Sequence, residues 1–193
     1  TLLAFEMNGR PLPLLHGAPL RVITPGWMAE SCMKWLTELT VRADETPGYY
    51  MQQAYRMPET SIQPGSGLPG TVMVPVEQMP VKSLIAAPGE GDTVRKGPVT
   101  VQGVAWAGEF AVAHVEVSCD DGKTWEQARL LGEGQPYAWR QWQYVWTPRT
   151  VGPTALLCRA TDARGEQQPA TSSWNPGGFL WSGWDRVAVT VAA

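Results

Sequence analysis

Short β-rich runs separated by turn residues occupy the chain beyond residue 80, and this pattern constrains the fold more than any other feature. The runs are residues 82–87, 98–106, 112–119, 124–131, 138–147, 154–162 and 184–191. Strands of this length, with Gly, Pro and Asp between them, are typical of a two-sheet antiparallel sandwich. We therefore predict a mainly β protein whose C-terminal part is an immunoglobulin-like β-sandwich.

Alternating polarity within the run at 112–119 supports this prediction. Val115, Val117 and Cys119 fall on one face of the strand, while Glu116 and Ser118 fall on the other. One face should therefore pack in the core and the other should contact water.

The sequence Asp-Asp-Gly at 120–122 then predicts a tight hairpin turn, because Asp and Gly tolerate positive φ. Near the chain end, Val187, Val189 and Val191 alternate with smaller or polar residues. This final strand should close the sandwich.

The sequence before residue 80 is different in character. Residues 12–23 are predicted to be extended and are rich in proline, and residues 29–36 are predicted to form one helical turn or a loop. In residues 61–80, Gly and Pro interrupt any helical or strand period. A segment with so little regular structure would bury only a small hydrophobic core by itself. We expect residues 1–79 to complete a larger α+β domain and residues 80–193 to form the sandwich domain. The start at Thr1 is what the interior of a longer polypeptide would show.

Charge and motif content exclude several classes of function. The net charge is -3 with both signs spread along the chain, so we expect no nucleic-acid partner. No apolar run reaches the roughly 20 residues that span a bilayer. The sequence has no P-loop, GxSxG, HExxH or dinucleotide motif. The three cysteines form no CxxC pair, so no metal ligand is assigned, and spacing leaves a Cys119–Cys158 bridge undecided.

Three cationic residues lie close together on irregular backbone: His16, Arg21 and Lys34. Arginine presents a planar fork of donors and lysine a point charge, and both suit a buried anion. From spacing alone, solvated loop charge is the favoured alternative. Judged from the sequence alone, Tyr55 is better interpreted as an interface tyrosine and Arg186 as the partner in an exposed ion pair.

Several motifs of the first part resemble the oxidoreductase molybdopterin domain of sulfite oxidases and assimilatory nitrate reductases. They are residues 2–9 (LLAFEMNG), 11–13 (PLP), 16–21 (HGAPLR), 25–26 (PG) and 34–36 (KWL). The second part is similar to the dimerisation domain of the same family. The motifs there are residues 101–108 (VQGVAWAG), 115–118 (VEVS), 121–125 (DGKTW), 139–142 (WRQW), 160–162 (ATD), 168–169 (QP) and 174–175 (WN).

The resemblance implies roles for individual residues. His16 and Arg21 match positions that bind the phosphate end of molybdopterin, and the loop Cys32-Met33-Lys34 matches the next contacting segment. Tyr55 matches an active-site tyrosine near the metal's oxo group. Arg186 matches an arginine that reaches the substrate anion.

The implied protein is a Mo-molybdopterin enzyme that oxidises sulfite or a related sulfur oxyanion to sulfate. It would pass electrons to a cytochrome-like acceptor and form a homodimer through the sandwich, and a periplasmic location is expected by resemblance only. Nitrate reduction and a non-catalytic dimerisation module are the alternatives. The family's molybdenum-ligating cysteine lies upstream of the region matching Thr1, and Cys32 does not take its position. The chain alone is therefore expected to be inactive.

Overall fold

Two contact-dense units divide the chain in the computed structural model, which describes residues 1–193. The N-terminal unit comprises Thr1–Met79 and Ser173–Trp181, and the sandwich unit comprises Pro80–Ser172 and Ser182–Ala193. The mainly β fold class is confirmed, because strands form two stacked sheets in the sandwich unit and short pairs elsewhere. The assignment of residues 1–79 and 80–193 to two separate domains stays a prediction.

The N-terminal unit holds three separate two-stranded sheets and little regular helix. Strand β1 (Leu2–Ala4) pairs with β4 (Arg21–Ile23), β2 (Glu6–Met7) with β3 (Arg10–Pro11), and β5 (Arg56–Pro58) with β6 (Met73–Pro75), all antiparallel. Short 3-10 helices occupy Leu14–His16 and Ala29–Ser31, and a π-helical turn occupies Tyr50–Ala54. No helix is long and apolar enough to cross a bilayer.

Nine strands build the sandwich unit. They are β7 (Lys82–Ala87), β8 (Thr93–Arg95), β9 (Val99–Trp106), β10 (Val112–Ser118), β11 (Glu126–Gln127), β12 (Arg129–Leu130), β13 (Arg140–Trp146), β14 (Gly152–Asp162) and β15 (Asp185–Ala192). One sheet has the order β11-β10-β14-β15-β8 and the other the order β12-β13-β9-β7. All pairs are antiparallel except β15 with β8.

The core lies between the two sheets and is dominated by valine and alanine, which pack around two buried tryptophans. Trp142 is fully buried, and Val115 and Val117 are buried as their alternation predicted. The valines of β15 are also buried, which confirms the inward face of the last strand: Val187, Val189 and Val191. Period-two patterning was therefore sufficient to identify the buried valines of β10 and β15.

Two sequence expectations about strands were wrong. The run at 124–131 is not one strand, because β11 joins one sheet and β12 joins the other. Buried Ala128 lies between them and donates its N–H to the Val115 carbonyl at 2.8 Å. Strand β8 was missed, since three residues on a sheet edge carry too weak a pattern to detect.

Ser118 was expected on the wet face of its strand but is buried. Its hydroxyl donates to Asp120 at 2.8 Å and accepts from the Gly122 N–H at 2.9 Å. Asp121 and Gly122 adopt positive φ, as the turn required. Ser118 is buried because its polar atoms are satisfied by the turn that it stabilises.

The side chain of Gln168 links separated segments inside the sandwich unit. Its Oε1 accepts from the Ser83 and Ala160 N–H groups at 2.8 and 3.1 Å, and its Nε2 donates to the Gly183 carbonyl at 2.8 Å. Asp185 makes a comparable link, since its Oδ2 accepts from the Ile85 N–H at 2.8 Å. A buried amide with both ends satisfied stabilises the fold because its loss would orphan backbone groups.

All three cysteines are free, and two of them should make the fold sensitive to alkaline pH. Burial raises the pKa of Cys158 to about 12, and burial with nearby Glu126 and Asp120 raises the pKa of Cys119 to about 12. A thiol that ionises only in the unfolded chain favours unfolding, so stability should fall as pH rises from 9 towards 12.

We expect urea denaturation to show a loss of about 1 kcal/mol between pH 8 and pH 10 from Cys158 alone. The variant Cys158→Ser keeps the size of the side chain and removes this titration, so its pH profile should be flatter. Equal slopes for the two proteins would contradict the assignment.

Candidate functional site

The short helix at Leu14–His16 has its carbonyl groups occupied by side chains from farther along the chain. The Trp35 indole N–H donates to the Leu14 carbonyl at 2.9 Å, and Lys34 Nζ donates to the Leu15 carbonyl at 3.1 Å. Arg21 donates to the His16 carbonyl at 2.9 Å. Two cations and an indole therefore converge on one turn of backbone, and Lys34 also lies over the Trp35 ring.

Gly17 is the residue that allows this convergence. Its φ is +106°, and a Cβ built there would lie 3.0 Å from the Lys34 Cβ and 3.2 Å from the Arg21 Cβ. A larger residue would push the two cationic side chains apart and would be strained in this conformation. Gly17 and Trp35 were not predicted from the sequence to have a role, and the one available signal was that a loop glycine tolerates positive φ.

Arg21 carries the clearest sign of a missing partner. Its terminal nitrogens are held by the carbonyls of His16 and Cys32, at 2.9 and 3.5 Å, but its Nε is buried without an acceptor. A buried charged donor without a partner is costly, so an anionic group at this place would be stabilising. The orphaned Nε and the glycine cradle together fit the phosphate end of a pterin cofactor.

Cys32 and Met33 contribute backbone rather than side chains to this cluster. The Met33 carbonyl accepts from the Val22 N–H at 2.8 Å, which ties the loop to β4. The Cys32 thiol accepts from the Thr24 N–H at 3.4 Å, while the Met33 side chain is exposed. Their proposed cofactor contact remains a prediction.

Glu30 was not anticipated from the sequence. Its Oε1 is buried without a partner, and desolvation raises its pKa, opposed by its own backbone N–H. The residue lies two positions before the Cys32-Met33-Lys34 loop, and no sequence motif marked it. The structure contains no group of three or more His, Cys, Asp or Glu side chains placed to hold a metal ion.

Tyr55 lies in a separate aromatic cluster of the N-terminal unit. It follows the π-helical turn, and its ring stacks on Tyr50 at 5.9 Å between centroids and contacts Phe179 at 5.8 Å. Its carbonyl accepts from the Val76 N–H at 3.0 Å. Neighbouring Arg56 holds the segment through a bidentate ion pair with Glu45. The ring of Tyr55 therefore packs against two aromatic neighbours.

Arg186 lies on the outward face of β15 in the sandwich unit. Its Nε donates to Asp121 Oδ1 at 3.3 Å, and the side chains are 56% and 64% exposed. An exposed pair of this kind contributes about 0 to 1 kcal/mol, so it would not hold Arg186 away from a competing anion. This is the exposed ion pair that the residues alone predicted, and the substrate role implied by resemblance stays a prediction.

Chemically, the N-terminal cluster offers fixed cationic donors with no carboxylate among the residues that form it. That arrangement can bind a phosphate or another small oxyanion. His16 lies at its exposed end, and its side chain is open to solvent.

Family models match both parts of the chain. Residues 74–192 match the Mo-co oxidoreductase dimerisation domain, and residues 1–50 match the oxidoreductase molybdopterin binding domain. The molybdopterin-binding match contains His16, Arg21 and Lys34, and the dimerisation-domain match contains Arg186.

Individual proteins show the same similarity. The mitochondrial sulfite oxidase of Homo sapiens is 38% identical over 200 residues, covering 99% of this chain and 36% of that protein. The NAD(P)H nitrate reductase of Hordeum vulgare is 28% identical over 208 residues, covering 98% of this chain and 23% of that protein.

Among solved structures, the sulfane dehydrogenase SoxCD from Paracoccus pantotrophus superposes with a TM-score of 0.82 at 26% identity. The match covers 100% of this chain and 51% of that one. The chain therefore spans about half of this structure and about a third of the human relative.

Proposed function

We propose that this chain, which belongs to the sulfite oxidase family, is part of a Mo-molybdopterin enzyme that oxidises sulfite or a related sulfur oxyanion to sulfate. When bound, the molybdenum cofactor supplies the oxygen-atom transfer and takes up the two electrons. Electrons would pass to a cytochrome-like acceptor. The protein would be a homodimer joined through its sandwich, and we place it in the periplasm on resemblance alone.

One observation supports the cofactor assignment most directly. The unpartnered Nε of Arg21 lies within the segment that matches the molybdopterin-binding model. Arg21 and Lys34 would bind the phosphate end of the cofactor, with His16 at the exposed side and the carbonyls of Cys32 and Met33 fixing the loop. Each of these groups binds or orients, and none needs to transfer a proton.

Tyr55 and Arg186 would act on the substrate. Sulfite is an anion at neutral pH, so a guanidinium that binds it offsets charge that would otherwise oppose its approach. The Tyr55 hydroxyl would orient substrate or product by a hydrogen bond. The stacking of its ring on Tyr50 and its contact with Phe179 would limit the number of orientations available to that hydroxyl.

The proposal is tested by measuring molybdenum and pterin content in the polypeptide that carries this segment, followed by sulfite-dependent reduction of cytochrome c. We expect stoichiometric molybdenum and turnover with sulfite. Full metal loading with turnover of nitrate alone would reject the substrate, and absence of molybdenum would favour a non-catalytic dimerisation module. The higher identity to a sulfite oxidase, 38% against 28%, supports sulfite over nitrate.

Replacing Arg186 by methionine should raise the KM for sulfite about 30-fold while leaving molybdenum content unchanged. Removal of a cationic contact to a bound anion costs about 2 kcal/mol, which is the origin of this magnitude. Steady-state kinetics on the molybdenum-loaded protein provide the measurement.

Asp121→Asn is the matched control, since it breaks the same surface ion pair and keeps the guanidinium. We expect its KM to stay within about threefold of the parent, because exposed pairs contribute little. If Arg186→Met leaves the KM unchanged, Arg186 is only the surface residue that its ion pair suggests.

A further inference from the structure

The sandwich unit contains a cavity whose walls come from both of its sheets. The volume of the cavity is about 730 Å³, and sites for small organic molecules typically measure about 300 to 1,000 Å³. Its walls are formed by parts of β10, β11, β13, β14 and β15 and by the loop between β13 and β14. All of these segments belong to the sandwich unit, so the cavity involves none of the cationic residues assigned to the cofactor.

Two carboxylates in the cavity wall, those of Asp120 and Glu126, have no cationic partner. Neither takes part in any of the ion pairs of the chain. Asp120 accepts hydrogen bonds from neutral groups, namely the Thr124 hydroxyl at 2.6 Å, the Thr124 N–H at 2.9 Å and the Ser118 hydroxyl at 2.8 Å. These bonds lower the pKa of Asp120 to about 2, so its negative charge persists at neutral pH.

Glu126 faces the cavity together with the hydroxyl of Tyr144. Burial and a hydrogen bond from this hydroxyl to the Glu126 carboxylate raise the pKa of Tyr144 to about 12. The bond occupies one of about four lone-pair positions of the carboxylate, so Glu126 can accept further donors. The charges of Glu126 and Asp120 also act, after burial, to raise the pKa of Cys119 in the same wall. This part of the cavity therefore attracts a cation.

The cavity wall also contains one cationic side chain, Arg149, in the loop between β13 and β14. Arg149 is exposed and takes part in none of the ion pairs, so it does not neutralise Glu126 or Asp120. Unpaired charges of both signs thus line one cavity without contacting each other. A ligand that carries both an ammonium and an acidic group would pair with both.

We infer that this cavity binds a small zwitterion, with its ammonium group at Glu126 and its acidic group at Arg149. Asp120 adds to the attraction for the ammonium group. A ligand with a single charge leaves either the carboxylates or the guanidinium unpaired, and this difference gives the site its specificity. The inference goes beyond the proposed oxidation of sulfite and does not depend on it, because the molybdopterin assignment rests on residues of the other unit.

The test uses ε-aminocaproate, whose flexible chain lets its two charged groups adjust their separation. Caproate and hexylammonium are matched probes that each lack one of the two charges. Isothermal titration calorimetry with the intact protein measures the affinity and the stoichiometry. We expect one site per chain and a Kd for ε-aminocaproate at least about tenfold below the Kd of either matched probe, because each of those loses a charged hydrogen bond.

Two variants test the two ends of the ligand separately. Glu126→Gln keeps an acceptor for Tyr144 and should raise the Kd for ε-aminocaproate about tenfold without weakening the binding of caproate. Arg149→Gln should have an effect of the same size without weakening the binding of hexylammonium. Glu133→Gln is the matched control, since it removes the same charge from an exposed loop position outside the cavity. Its Kd should change by less than about twofold.

Thermal unfolding shows whether each variant is folded. Absence of saturable binding of ε-aminocaproate at about 10 mM, or equal affinities for the zwitterion and one of its matched probes, would overturn the inference. Both comparisons use the parent protein alone, so they decide the question even if a variant does not fold. A Kd that is unchanged in folded Glu126→Gln or Arg149→Gln would place the ligand elsewhere and would also overturn it.

Discussion

Replacing Arg21 by methionine is expected to reduce the molybdenum and pterin content of the purified protein to below about a tenth of the parent value. Charged hydrogen bonds to a bound anion contribute about 1.5 to 3 kcal/mol, which corresponds to a roughly 10- to 150-fold weaker cofactor affinity. The guanidinium is also the clamp that joins the His16 and Cys32 carbonyls, so its loss would loosen the site itself. Metal analysis and pterin fluorescence give the readout without relying on activity.

Arg10→Met is the matched control, because Arg10 is exposed in the neighbouring hairpin strand β3. We expect full cofactor content in that variant. Lys34→Ala should lower cofactor content less than Arg21→Met, since Lys34 is exposed and makes one backbone contact. Equal cofactor content in the Arg21 and Arg10 variants would show that the cationic cluster holds no cofactor.

Replacing Gly103 by alanine should destabilise the sandwich unit by about 3 kcal/mol. A Cβ at Gly103 would collide with the Leu84 carbonyl of β7 and would lie 2.5 Å from the Trp142 ring. Trp142 is fully buried at the centre of the core, so neither the ring nor the paired strand can move without loss of packing. Overpacking of this kind typically costs about 1 to 3 kcal/mol, and here backbone is also displaced. The thermal midpoint should fall by about 6 to 12 °C.

Gly89→Ala provides the comparison in the same unit. The nearest atom to a Cβ there is an Asp92 carboxylate oxygen at 3.4 Å, on a side chain that can move. Its midpoint should change by less than about 3 °C. A Gly103 variant as stable as the Gly89 variant would mean that β7 and β9 can separate more easily than their contacts indicate.

Strand positions were predictable wherever the polarity pattern was long enough. The alternation in β10 and β15 identified their buried valines, because the residues that face the core of a two-layer sandwich have to be apolar. The division of 124–131 between two sheets was not predictable. It depends on where Ala128 crosses from one layer to the other, which no local pattern encodes.

The candidate site shows the same division between local and tertiary information. Residue types and spacing pointed to His16, Arg21 and Lys34 as a cationic set, and the resemblance gave that set a ligand. They did not reveal that Trp35, Lys34 and Arg21 bind three successive carbonyls, or that Gly17 sets their spacing. Glu30 carried no sequence signal at all.

By itself, the sequence determined the mainly β architecture, the inward faces of its principal strands and its membership of the sulfite oxidase family, because these follow from residue order and period. Only the tertiary structure decided which polar atoms are left without partners, as at the Nε of Arg21, and which distant backbone groups the side chain of Gln168 links. Those properties depend on what surrounds a side chain in space, and residues far apart in the chain supply those surroundings.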